Sequence, residues 1–132
     1  MRVLAMWVAR ILLCGFVMVY TGIANAEEFG ASEKATLHFT LLQFLESGSD
    51  DDGAFRVMDR DTGKMITAHI GALHPKIIPF GADYVLCIEM YDDQGGRHDA
   101  DFILRASGGE WVVVDVLFDQ RALLKKALAE ID

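Results

Sequence analysis

The stretch DYVLCIEMYDDQGGRHDADFILRASGGEWVVVDVLF, residues 83–118, decides the fold. Three runs rich in β-branched, aromatic and aliphatic residues are separated by two turn clusters: Asp92, Asp93, Gln94, Gly95, Gly96, and then Ser107, Gly108, Gly109. Short strongly strand-forming runs joined by Asp, Gly and Ser read as strands linked by tight turns. The spacing predicts strands over 83–91, about 98–106 and 111–118, joined as an antiparallel meander.

Side chains alternate between the two faces of a strand, so each run sorts into two sets. Tyr84, Leu86, Ile88 and Met90 share one face with Ala100, Phe102 and Leu104, and with Val112, Val114, Val116 and Phe118; this is the predicted core face. The opposite face carries Val85, Cys87, Glu89 and Tyr91, then Asp101, Ile103 and Arg105, then Trp111, Val113, Asp115 and Leu117. It is neither plainly polar nor plainly apolar.

Upstream, Leu37, Leu41, Phe44 and Leu45 recur at helical spacing, with Ser32 as the predicted cap and an end near Gly48. Residues 48–53 form a predicted acidic loop. The period then becomes strand-like in Phe55 and Val57, and in Met65, Ile66, Ala68 and Ile70, on either side of the turn cluster Asp59–Gly63. Thr67 and His69 join the mixed face from this hairpin. Residues 71–81 contain both prolines, Pro75 and Pro79, and read as a long loop at the sheet edge. Downstream, Asp119 is the predicted cap of a final helix lined by Leu124, Leu128 and Ile131.

Helix, four or five antiparallel strands, helix: this order predicts an α+β domain with the helices, including the C-terminal one, on one sheet face. In element order the chain resembles the cystatin-like and nuclear-transport-factor-like superfamily, which implies a curved sheet wrapped around a helix. That resemblance implies no site residues, because the fold hosts enzymes, binding modules and assembly domains alike.

Residues 1–26 read as a cleavable signal peptide: Arg2 and Arg10 precede an apolar run, and Ala24 and Ala26 form an A-x-A ending before Glu27 and Glu28. Leu13 before Cys14 does not fit a lipoprotein signal, and no adjacent arginines are present. The expected mature domain is residues 27–132, periplasmic or secreted, with no stable membrane anchor. Cleavage removes two basic residues and no acidic one, leaving 10 Lys and Arg against 20 Asp and Glu, a net charge of −10. A field of that sign repels phosphate backbones, which argues against nucleic-acid partners. Cys87 is the one cysteine of the mature domain, so it has no internal disulfide partner.

Three readings compete for the mixed face: a solvated surface with a Glu89–Arg105 cross-strand ion pair, a protein contact centred on Trp111 and Tyr91, and a small-ligand pocket. The candidate partner- or ligand-binding residues are Glu89, Tyr91, Asp101, Arg105, Trp111 and Asp115. His69, His74 and Cys87, with Glu89 nearby, are candidate ligands for zinc or copper, since imidazole and thiolate suit both metals. Cys87 also invites a nucleophile reading with His69 or His98 as base, and Asp99 with Asp101 a carboxylate pair. The Asp50–Asp52 run lacks the calcium-loop pattern. Without nucleophile, base and orienting group at recognisable spacing, the chain reads as a non-enzymatic binding protein contacting a protein partner or a second copy, needing no cofactor; the alternative is a periplasmic domain binding a small ligand or zinc or copper.

Overall fold

In the computed structural model, residues 30–131 are described; the predicted signal peptide lies outside them. Helix α1 (Ala31–Gly48) leads into β1 (Ala54–Asp59), β2 (Lys64–Phe80), β3 (Asp83–Asp92), β4 (Arg97–Ser107) and β5 (Glu110–Phe118), followed by α2 (Arg121–Ala129). The five strands form one antiparallel sheet in the order β1-β2-β3-β4-β5, the expected α+β meander. Ser107 faces Glu110 across a two-residue loop in which Gly108 and Gly109 have φ of 61° and 85°. Two consecutive positive φ values match the twist of the flanking strands, and glycine reaches them without strain.

The predicted loop at residues 71–81 is instead the second half of β2. Pairing with β1 stops at His69, while pairing with β3 continues to Phe80. Beyond His69 the outer side of β2 is therefore a sheet edge, where proline's missing N–H costs no ladder bond. Register shifts on both sides of Leu73 absorb the irregularity around Pro75. The composition announced an edge correctly but hid the strand.

The largest buried cluster joins Leu37, Leu41 and Leu45 of α1 to Phe55, Leu86, Ile88, Phe102 and Phe118 of the sheet. The Phe55 ring lies 5.9 Å from Phe44 and 6.3 Å from Phe102, centroid to centroid. Full burial of a leucine or phenylalanine side chain stabilises by roughly 1.5–3 kcal/mol, so this cluster is the main source of stability. A second cluster has Val85, Leu117 and Leu124 at its centre, with Ile103 and Leu128 against it. Val85 and Leu117 have opposite parity to Leu86 and Phe118. Leu124 of α2 therefore meets strand residues of the other face, and the expectation of helical cover on a single face is corrected.

The strand β5 holds a second correction. Ile103 pairs with Asp115 but Leu104 pairs with Val113, which leaves Val114 as an extra residue, a β-bulge. The bulge reverses the parity of everything before it. Trp111 and Val113 thus turn onto the α1 side and pack against the main cluster, while Val112 and Val114 are exposed. Neither predicted helix cap is used: α1 starts after Gly30 and α2 after Gln120, each without a side-chain cap.

Candidate functional site

The mixed face has its buried centre at Cys87 and Asp101, which are register partners on β3 and β4 and are 4% and 0% exposed. Arg121, the first residue of α2, reaches over both: its Nη2 donates to Cys87 Sγ at 2.8 Å and lies 3.0 Å from Asp101 Oδ1. Burial pushes the Asp101 carboxyl above the usual range, against the pull of the Arg121 guanidinium. Burial, reinforced by the Asp101 charge, pushes the Cys87 thiol up to about 11. A thiol that holds its proton at neutral pH is a poor nucleophile, so this environment works against cysteine catalysis. Neither Asp101 oxygen has a well-directed hydrogen bond, nor has Arg121 Nε.

His74 is near enough for its charge to favour the ionised form of Asp101. His69 is engaged elsewhere, with Nε2 3.1 Å from Asp93 Oδ1. Among the described residues no group of three or more His, Cys, Asp or Glu side chains is placed to hold a metal ion. The predicted trio His69, His74 and Cys87 is thus divided.

At the upper end of the same face, the Tyr91 hydroxyl donates to Glu89 Oε1, and Arg97 Nε lies 2.9 Å from Glu89 Oε2. Arg97 also approaches Asp99 at 3.6 Å. The Tyr91 ring lies directly over Gly71 of β2, where an added Cβ would stand 2.7 Å from both the ring and the Glu89 carbonyl. Only glycine allows this approach. Arg105 does not pair with Glu89 as expected; it clasps Asp83 in a two-bond fork at 2.9 and 2.7 Å. Asp115 pairs with Arg60 of the β1–β2 turn at 2.5 Å. Trp111, on the other face, packs edge-on against Tyr84 at 5.2 Å. The six predicted contact residues therefore form no single patch.

One constellation is absent from the sequence reading. His98 has Nδ1 2.6 Å from Asp119 Oδ2 and Nε2 3.0 Å from Asp92 Oδ2, and stacks on Phe118 at 4.8 Å. Burial lowers its affinity for a proton, but the hydrogen bonds the imidazole donates to Asp119 and then to Asp92 outweigh this and raise its pKa. Asp119 sits at φ 53° and ties itself to β4, donating its N–H to the Asp99 carbonyl and accepting the Asp99 N–H on Oδ1. It closes the end of the sheet instead of capping α2. An antiparallel pair necessarily sets the start of β4 beside the end of β5, and this was the available signal.

Between α1 and the outer edge of β5 runs a groove with two adjoining hollows of about 410 and 320 Å³. Phe44 and Val113 line both. The first hollow continues along Gln43, Ser47 and Val112, and the second opens towards Arg56 and Met58 of β1. Met58, Val112 and Val114 are among the large exposed apolar residues, and Phe44 is 37% exposed.

The molecule is thus defined as an α+β domain built on a five-stranded antiparallel meander, with Arg121 lying over a buried Cys87–Asp101 pair and a groove of mixed polar and apolar lining at its β5 edge. No family model, curated protein or solved structure matches this chain.

Proposed function

We propose that this protein is a non-enzymatic binding domain, acting in the periplasm or after secretion, whose partner is another polypeptide docked in the groove between α1 and β5. The observation that carries the reading is the exposure of Val112 and Val114 on the sheet's outer strand, beside the groove. Apolar groups gathered at a concave edge are the usual centre of a protein contact. The face first expected to make that contact is the one α2 packs on, with Val85, Cys87 and Asp101 buried in it. Export rests on the signal-like residues 1–26. Among the described residues no helix is long and apolar enough to cross a membrane.

A second reading, binding of a small ligand or a metal, draws on the buried Asp101 oxygens beside Cys87 and His74. Arg121 already brings positive charge to that spot, which weakens the case for a cation. Native mass spectrometry of the protein purified from its host, with and without Val112→Arg, separates the two. A complex with a second polypeptide that disappears in the variant supports the groove; bound metal or small-molecule mass that survives the substitution overturns it.

A further inference from the structure

The geometry points to the occupant of this groove being an extended peptide segment that pairs with β5 as a sixth strand, with alternate residues apolar and a carboxylate placed to meet Arg56. The inference rests on the binding reading above and specifies its mode.

The sheet has three edges: β1, six residues long and itself a wall of the groove through Arg56 and Met58, and two others that are built differently. The outer half of β2, from Ile70 to Phe80, carries Pro75, Lys76 and Pro79. Proline removes a donor and lysine resists burial, so that edge cannot readily accept another strand. The segment Glu110–Asp115 of β5 is EWVVVD, with neither lysine nor proline, and among the described strands it pairs with β4 alone. Three successive valines on an unpaired edge are the composition of a strand prepared for a neighbour. At its far end β5 is closed off, because Arg60 of the β1–β2 turn holds Asp115. The open, regularly paired length is therefore Trp111 to Val113, up to the bulge at Val114 that bends the strand away.

A strand laid against that length has two faces. One faces the groove wall of Gln43, Phe44 and Ser47, which carries no charge and accepts small or apolar side chains. The other lies beside exposed Val112. Main-chain hydrogen bonds supply affinity in this mode and alternate side chains supply selectivity. Arg56 adds the charge requirement. Its side chain is 67% exposed, its ion pair to Asp50 is long at 3.9 Å, and it lines the hollow next to Val113 and Val114. It is a cation at the groove of a chain whose formal net charge is −8. That same net charge makes two copies repel, which favours a foreign segment over self-pairing.

The probe is a heptapeptide of alternating valine and threonine with a central glutamate, acetylated and amidated, added to isotopically labelled protein. Hydrogen exchange is read by NMR. Amides from Trp111 to Val113 are expected to slow at least tenfold. A backbone N-methylated copy of the peptide should give no protection, a control that needs no folded variant. Arg56→Gln should weaken binding about tenfold, roughly 1.4 kcal/mol, and in that variant exchanging the peptide's glutamate for glutamine should cost nothing more. Equal protection by the N-methylated peptide, protection mapped to another strand, or concentration-dependent protection without peptide, the sign of self-pairing, each overturns the inference. If no probe binds while the polypeptide complex sensitive to Val112→Arg persists, strand addition falls and the binding reading stands. If neither is seen, both fall.

Discussion

Arg121 lies 3.0 Å from a carboxylate, that of Asp101, which is wholly enclosed by the sheet and the chain above it. The two partners are unequal: the Arg121 side chain is 36% exposed and that of Asp101 only 1%. Removing one side is therefore not equivalent to removing the other.

Arg121→Met should destabilise the protein by about 3 kcal/mol, because it strands a buried carboxylate, which then answers by taking up a proton. Asp101→Asn should cost less, since the released guanidinium can turn to water. The double variant should recover part of the loss. Urea unfolding of all three, analysed as a cycle, checks the order; an Asp101→Asn cost above that of Arg121→Met would contradict this account.

The His98 cluster gives the fold a pH dependence of defined sign. Its folded pKa is raised above the ordinary 6.5, so its contribution is complete below that value and is lost as pH rises through the folded value. Asp92 behaves oppositely: the His98 hydrogen bond, followed by the Gly96 N–H, lowers its pKa, so its contribution holds above the ordinary 3.8 and is lost as pH falls through the folded value. Thermal melts should show both contributions intact between about pH 4 and 6.5, the two reference values. In His98→Gln the decline above pH 6.5 should be flattened.

Cys87 should be inert in the folded protein. With its thiol pushed up to about 11, alkylation by iodoacetamide at pH 7.5 should be at least a hundredfold slower than in urea, where the thiol returns to its ordinary range. Mass spectrometry of timed samples reads this directly. Equal rates in the two states would show that the thiol is accessible and ionised.

Gly71→Ala should lower stability by about 1–3 kcal/mol, because the new Cβ meets both the Glu89 carbonyl and the Tyr91 ring at 2.7 Å. The substitution should also displace the Tyr91 hydroxyl from Glu89, visible as a change in tyrosine absorbance above pH 9. An unchanged melting temperature would mean that β2 gives way at no cost.

The meander and the two helices were legible because their signals are local: turn clusters at 92–96 and 107–109, and Leu37, Leu41 and Leu45 at helical spacing. What escaped depends on one-residue offsets or on distant neighbours. The extra residue at Val114 reverses the parity of β5 and carries Trp111 to the opposite face, an outcome that alternation alone cannot anticipate. Pro75 and Pro79 signalled an edge, but whether an edge segment still pairs on its other side depends on β3, which the segment itself does not encode. Among the candidate site residues, Cys87 and Asp101 come together as register partners on β3 and β4, on the face that alternation assigned them; what alternation could not place is Arg121 above them, whose reach over the sheet follows from where α2 begins. His98 and Asp119 are 21 positions apart and meet only because β4 and β5 are antiparallel.

Because every strand is hydrogen-bonded to its nearest neighbours in the chain and to no other among the described strands, the sheet can assemble one hairpin at a time. Each closure spans a short loop, and such local connectivity favours rapid folding. One step does not share this economy. The cluster that seals α1 includes Phe118, so the first helix can be fully enclosed only when the last strand has arrived. Substitutions at Leu37 or Leu41 should therefore act mainly on the unfolding rate, and those at the 107–110 turn on the rate of folding.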